Sequence, residues 1–346
     1  MCIDCAVFNY SKYIETTDMT GLSFYVSGAR HKIGFECALK LLRCGATVYA
    51  SSRFAGVALH NYQIQPDFDS FKQRLTVIEC DYKNIRSVQS LIDYLLKVKL
   101  NGVINNACQT VQPTNTYLQK LASFEESIQL EYKRHKPESV LTIGNGNNNS
   151  LSADNNLELS TTHTASQQLV VYDSQQISKI DPSQSKLVPH YNVFYDINDD
   201  HSNSCWTKTI DEISDTEILE VNVINQIAPT LIMNRLMNHL SSPAFVINVT
   251  SVEGQFEGMV SDYHPHTNMC KAGLNMLTAT LANNKRGVLV YSVDPGFVSG
   301  VRPNITEYPL NAKDGGSRVV DPIIQALKGN PYPNGLKLKD YMQAKI

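Results

Sequence analysis

No stretch of this sequence holds the 18 or so consecutive apolar residues that crossing a bilayer requires. Met1 to Tyr10 carries neither a basic head nor a long apolar run, so no secretory leader is expected and a soluble, cytoplasmic protein is. Basic charge is not in excess either. Lys and Arg number 30 against 33 Asp and Glu, a net charge of −3, which gives no field to hold a phosphate backbone or an anionic lipid surface. Neither nucleic acid nor a membrane is expected as a partner. The 8 cysteines form no disulfide framework. Cys37, Cys44, Cys80 and Cys108 sit inside apolar runs and read as reduced thiols. Cys2-x-x-Cys5 is half of a tetrathiolate zinc site, and a second closely spaced pair is missing, so no metal is expected. The pair also lacks the usual strand and helix context of a redox dithiol. Asn248 heads an Asn-x-Ser/Thr match but falls in an apolar strand pattern, where a glycan has no room. No internal repeat is visible.

What is present is apolar material for a core, 42% of the chain, in short runs separated by helical spacing. Leu22 to Val26 reads as a strand that ends in Ser27-Gly28, and Ile33 to Leu42 as a helix that stops near Gly45. Thr47 to Ser51 and Leu75 to Cys80 follow as strands, Ser87 to Lys99 as a helix, and Gly102 to Asn105 as a strand. After residue 205, Ser214-Asp-Thr-Glu217 has the form of a capping box at the start of a helix that runs to about His239. Ala244 to Val249 is a strand, Pro265 to about Lys285 a helix with proline in its first turn, Val288 to Val293 a strand, and Asp321 to Leu327 a last helix. Strands apolar on both faces and alternating with helices imply a parallel sheet covered on both sides, since parallel strands need crossover connections. The expected fold is α/β, a doubly wound parallel sheet of six or seven strands in a Rossmann arrangement.

Residues 135–204 break this rhythm. They are rich in Asn, Ser, Gln and Asp, with no sustained period, and read as a polar, largely disordered insertion with brief strands such as Gln168 to Tyr172. The chain then divides into a lead over 1–19 that holds the cysteine pair, a first part of one domain over 20–134, the insertion, and a second part over 205–346.

The junctions carry the chemistry. Ser27-Gly28-Ala29-Arg30-His31-Lys32-Ile33-Gly34 joins the first strand to the first helix, where a pyrophosphate meets free backbone amides and the positive end of the helix dipole. Gly28 suits a tight turn and Gly34 a close approach of helix to sheet. The second strand ends at Ser51-Ser52-Arg53, where an acidic residue would select a ribose 2′-hydroxyl. Arg53, with Arg30, instead suits a 2′-phosphate, so NADP(H) is expected ahead of NAD(H); as plain surface cations the two would say nothing. Asp81-Tyr82 follows the third strand, Asn105-Asn106-Ala107-Cys108 the fourth, and Pro295-Gly296-Phe297-Val298 the last.

In this order the motifs resemble those of the short-chain dehydrogenase/reductase family. The turn resembles Thr-Gly-x-x-x-Gly-x-Gly with Ser27 for threonine and Lys32 for the middle glycine, and Cys108 takes the glycine's place in Asn-Asn-Ala-Gly. Lys32 either assists the phosphates or is a solvated surface lysine. The resemblance implies that Gly28, Arg30, Lys32, Ile33 and Gly34 cradle the pyrophosphate and that Asp81 and Tyr82 contact adenine. It implies that Asn105, Asn106 and Ala107 line the groove and that Pro295, Gly296 and Val298 meet the nicotinamide end. Ser251, after Asn-Val-Thr, corresponds to the serine that polarises the substrate carbonyl, Lys271 to the lysine that holds the ribose, and Asn225 to the relay asparagine, with Asn222 as the competing assignment.

The family's tyrosine, four residues before the lysine, is absent: Thr267 stands there. An aliphatic hydroxyl is too weak an acid to replace a lysine-tuned phenol. His266 titrates near neutrality but points about 100° away from its neighbour on a helix, and Tyr263 lies before Pro265 in a loop; either is a candidate proton donor. The segment Tyr263-His-Pro-His-Thr-Asn-Met-Cys-Lys271 resembles a divergent branch of the family. Two functions remain: an oxidoreductase acting on a small carbonyl or alcohol substrate, or a non-catalytic NADP(H)-binding sensor or scaffold. The retained Ser251, Asn225 and Lys271 favour the enzyme. The family resemblance further implies a homo-oligomer.

Overall fold

The computed structural model describes residues 2–110, 113–135, 140–143, 169–173, 205–257, 261–284, 286–298 and 310–344. A helix, α1 (Ile3–Ile14), opens the chain. It is followed by β1 (Ser23–Ser27), α2 (Lys32–Arg43), β2 (Thr47–Ser52), α3 (Ala55–Gln63), α4 (Phe68–Phe71), β3 (Leu75–Glu79), α5 (Ile85–Leu95) and β4 (Gly102–Asn105). Next come α6 (Asn115–His135), β5 (Val140–Ile143), β6 (Leu169–Asp173) and α7 (Asp215–Asn222), which runs through a π-helical turn, Val223–Ile227, into α8 (Ala228–Leu236). The chain closes with β7 (Phe245–Val249), α9 (Pro265–Ala282), β8 (Leu289–Asp294), α10 (Ala312–Leu327), β9 (Lys337–Lys339) and β10 (Met342–Ala344).

Seven strands pair in parallel in the order β3-β2-β1-β4-β7-β8-β9, so the winding reverses between β1 and β4. This is the doubly wound α/β sheet that the alternation of strands and helices implies. Antiparallel β10 continues it beyond β9, and antiparallel β6 and β5 continue it beyond β3. The parallel strands are buried on both faces, β7 over its whole length, and two cores result. One joins α2, α3, α6 and α10 to the sheet, and the other joins α5 and α8.

The boundaries differ from the periodic pattern where side chains cap or crowd a helix. The α5 helix begins before Ser87 because Asn84 Oδ1 accepts from the Arg86 and Ser87 amides. The last helix begins nine residues before Asp321, at Ala312, where Asn311 and Asp314 form a capping box. Gly315 and Gly316 hide that start in the sequence, yet they serve packing: a Cβ on Gly316 would stand 2.8 Å from Glu36 Cβ of α2. Ser214 does accept from Glu217 N at 3.2 Å, but the long helix it opens is interrupted by the π-helical turn.

Two segments meet the sheet unexpectedly. The lead folds as α1 and is tied to α10 by Lys12 with Asp321 at 3.0 Å and by Arg318 with Asn9 at 2.8 Å. From the end of β4 the chain crosses to α3 as α6, and Glu125 there accepts from the Gly56 and Val57 amides at 2.7 and 2.8 Å. Within the expected insertion, residues 140–143 and 169–173 form β5 and β6; the rest of the stretch read as disordered lies outside the described residues.

Candidate active site

The turn after β1 is stitched to the end of β4. Ser27 Oγ accepts from the Asn106 and Ala107 amides, both at 3.0 Å, and Asn106 Nδ2 donates to the carbonyls of Ser27 and Gly28 at 3.0 and 3.2 Å. Gly28 has φ +65°, and a Cβ there would stand 2.8 Å from Ala107 Cα. A Cβ on Gly34 would collide with Asn106 Nδ2 and the Gly28 carbonyl. Both glycines are thus required by close approach, and the N-terminus of α2 opens at this turn with no side-chain cap on His31. Lys32 takes φ +55°, the left-handed conformation a glycine adopts freely, at a cost of about 1 kcal/mol. Ile33 packs against Gly315 of α10.

On the other side of the turn, Ala29 N donates to Ser51 O at 3.0 Å. Arg53 is half-buried beside the Phe54 ring, its guanidinium carbon 5.9 Å from the centroid. Arg30 is buried, and its Nη2 donates to Tyr117 Oη of α6 at 2.8 Å. Asp81 Oδ1 accepts from Lys83 N at 3.0 Å. Tyr82 turns inward: its hydroxyl is 2.6 Å from Tyr25 Oη, which lies 2.7 Å from Ser51 Oγ, and burial pushes both phenols well above their ordinary range.

At the carboxyl ends of β4, β7 and β8 the second half of the site is assembled. Asn105 Nδ2 donates to Asn248 Oδ1, and Asn248 Nδ2 to Thr278 Oγ1, both at 2.8 Å. Asn248 is fully buried, in keeping with its strand position. The turn beyond β7 carries Ser251 and is pinned against α9. Lys271 Nζ donates to Val249 O at 2.9 Å, Asn275 Nδ2 donates to Gly254 O at 2.9 Å, and a Cβ on Gly254 would stand 2.7 Å from the Lys271 carbonyl carbon. Asn225, in the π-helical turn and wholly buried, accepts from Gln109 N at 2.7 Å and donates to Gln109 O at 2.9 Å. Asn222 instead donates within its own helix, to Ile218 O at 2.8 Å, and accepts from Cys270 Sγ of α9 at 3.6 Å. The Pro295-Gly296 turn is held by Asp294 Oδ1, which accepts from Gly296 N at 2.9 Å, while Arg318 donates to Pro295 O at 3.2 Å. Gly296 has φ +83°, and Val298 is buried.

Comparison with solved structures decides the architecture. A short-chain dehydrogenase from Burkholderia cenocepacia in complex with NADP superposes with a TM-score of 0.57 at 14% identity, over 93% of this chain and 97% of that one. A dehydrogenase/reductase from Sinorhizobium meliloti superposes at 0.56 and 14%, over 96% and 97%. The landomycin C-6 ketoreductase with bound NADP and rabelomycin gives 0.53 at 13%, over 94% and 97%. This chain has the short-chain dehydrogenase fold. At the level of sequence, an uncharacterized protein of Acanthamoeba polyphaga mimivirus is 28% identical over 350 residues, covering 93% of this chain and 67% of that protein. No family model matches the chain.

Thr267, expected from the sequence to stand in the tyrosine's place, is buried, and its Oγ1 has no hydrogen-bond partner among the described residues. His266 is also buried, with Nε2 3.9 Å from Glu217 Oε1 of α7, and desolvation lowers its pKa, opposed by the Glu217 charge. Tyr263 is 42% exposed in the loop before α9. Cys2 Sγ accepts from Cys5 N at 3.4 Å and so caps α1; among the described residues no group of three or more His, Cys, Asp or Glu could hold a metal ion. Among the described residues no helix is long and apolar enough to cross a membrane.

The structure adds four residues beyond those that the sequence motifs single out. Gln109 is clamped by Asn225, and its own side-chain amide is buried without a partner among the described residues. Tyr117 and Glu125 bring α6 to the phosphate turn and to α3. Lys337, on β9, donates to Ser251 O at 3.1 Å. It reaches the site because β9 pairs in parallel with β8, a pairing no sequence spacing announces.

Proposed function

We propose that this chain is an NADP(H)-dependent oxidoreductase that transfers hydride between the nicotinamide and a carbonyl or alcohol substrate. The observation that carries the reading is the cradle at the start of α2, in which Ala107 leaves no room for a Cβ on Gly28, and Asn106 and the Gly28 carbonyl none on Gly34. The donor set fits a dinucleotide: helix amides and Lys32 for the pyrophosphate, Arg53 for the 2′-phosphate with Arg30 held behind it by Tyr117, Asp81 at adenine, and Lys271 at the ribose. Pro295, Gly296 and Val298, after β8, bound the nicotinamide end, two strands away from Asn105 at the end of β4.

The bound nicotinamide supplies the hydride chemistry. The chain's own residues orient the substrate and manage its proton. Ser251 donates to the substrate oxygen from a turn whose main chain is fixed at Val249 and Gly254. Thr267 Oγ1, buried and unpartnered among the described residues, is a second donor to that oxygen. Asn225 holds the end of β4 in register through Gln109. The proton comes from Tyr263, because its ring reaches solvent, whereas burial keeps the imidazole of His266 neutral against α7.

A second reading, a sensor or scaffold that binds NADP(H) without turnover, is favoured by Thr267 standing where a phenol would be. One experiment separates them: titration with NADPH and NADH, then NADPH oxidation against a carbonyl panel, with Ser251→Ala and Lys271→Ala alongside. Turnover lost in both variants supports the reductase. Tight binding without turnover supports the sensor, and failure to bind either nucleotide refutes both.

A further inference from the structure

Lys337 lies on the short strand β9 and is fully buried, at 0% exposure. A lysine is almost never enclosed in this way, because stripping water from an ammonium is costly unless good partners replace it. Its Nζ donates to a neutral main-chain carbonyl, that of Ser251, at 3.1 Å. Charged groups face it from each element around it: Asp294 from β8, Glu253 from the turn after β7 and Lys339 from β9 itself. Asp294 gives Oδ1 to Gly296 N and has Lys339 Nζ 3.6 Å from Oδ2.

The position matters because of what it brackets. Lys271 holds Val249 O from α9, and Lys337 holds Ser251 O from the sheet edge, so two ammonium groups grip carbonyls two residues apart on either side of Thr250. We infer that Lys337 is a positioning residue for hydride transfer: it fixes the main chain of Ser251 and sets a positive charge behind the serine hydroxyl, where negative charge gathers on the substrate oxygen. This rests on the oxidoreductase reading. A fixed cation in a dry setting stabilises a developing oxyanion more than the neutral carbonyl, which is the differential effect that raises a rate. Merely holding a turn would not call for a buried charge, since a neutral donor reaching the same carbonyl does so at lower desolvation cost.

Burial, opposed by Asp294 and Glu253, pulls the ammonium of Lys337 down to about 8. Its charge is present below that pH and lost above it, so hydride transfer in the native protein should decline on the alkaline side of about pH 8.

The test uses the full chain, with Lys337→Met and Lys337→Ala beside the native protein, in single-turnover NADPH oxidation with a carbonyl the native protein reduces. NADPH affinity and melting temperature are measured in parallel. The expected result is a hydride-transfer rate lowered about tenfold or more, with NADPH affinity within about twofold and a melting temperature lowered by no more than about 5 °C, the scale of one lost buried hydrogen bond. The alkaline decline disappears in the Met variant, and added ethylammonium restores part of the rate in the Ala variant. A rate within twofold of native, a melting temperature that falls by more than about 5 °C, or a failure to fold assigns Lys337 to stability and overturns the inference. Native protein that binds NADPH but transfers no hydride overturns the oxidoreductase reading, and the inference with it.

Discussion

Replacing Asn225 with alanine should be among the most damaging single changes near the site, and the reason is local. The Asn225 amide completes both hydrogen bonds of the Gln109 main chain, at 2.7 and 2.9 Å, in a place fully shielded from water. Alanine leaves a buried N–H and a buried C=O without partners, each costing about 1–3 kcal/mol, and removes packed atoms besides. The sum is about 4 kcal/mol. For a chain of this size that is on the order of 10 °C in melting temperature. The control is Asn222→Ala, one turn earlier. Asn222 donates to Ile218 O within its own helix and otherwise accepts a weak thiol hydrogen bond from Cys270, so its loss should cost about 1 kcal/mol. Denaturant unfolding monitored by circular dichroism gives both values. Equal costs for the two variants, or a cost at Asn225 below about 1 kcal/mol, would refute the claim that Asn225 holds the end of β4 in place.

Three further outcomes follow from the same geometry. Gly34→Ala should leave the sheet folded but abolish measurable NADPH binding in a fluorescence titration, because its Cβ must displace Asn106 Nδ2 or the Gly28 carbonyl. Arg53→Ala should weaken NADPH by about tenfold and leave NADH unchanged, the scale of one charge-assisted hydrogen bond to the 2′-phosphate. Burial, together with the charges of Glu125 and Asp81, raises the Glu79 carboxyl to about 7. The folded state therefore holds that proton more tightly than the unfolded chain, and stability declines as pH rises from about 4.5 through about 7. Glu79→Gln should raise the melting temperature at pH 8 and leave it unchanged at pH 4; a pH-independent effect would remove Glu79 as the cause.

The doubly wound core was legible because its strands are apolar on both faces and its junctions carry glycine, asparagine and proline where backbone geometry demands them. The ends of that core were not. In α1 the regular apolar stripe Ile3, Val7, Tyr10 and Ile14 faces solvent, while polar Asn9 and Lys12 make the anchoring bonds. Periodicity alone would have turned that helix over. In α3 the buried residues include His60, Asn61 and Gln63, so no apolar stripe marks it; Asn61 is inside because it donates to Arg30 O. The α6 helix does carry a stripe, Tyr117, Leu121, Phe124 and Ile128, regular enough to be found from spacing. At the site, Ser251, Lys271 and Asn225 lie at legible spacings, whereas Gln109, Glu125 and Lys337 are drawn in by the fold from distant segments.

The least legible feature alters what the arginines can do. Arg53 ends the second strand, and the next helix, α3, starts two residues later with amides at Gly56 and Val57 that would ordinarily attract an anion. Both amides are taken by Glu125, whose carboxyl is buried and raised in pKa by that burial. Arg30 is likewise engaged with Tyr117 and lies in the field of Glu125. A 2′-phosphate arriving at this end would find its helix dipole occupied and one of its two arginines committed to α6. Discrimination between the two dinucleotides then falls mainly on the side chain of Arg53, which is why a single substitution there should remove most of it.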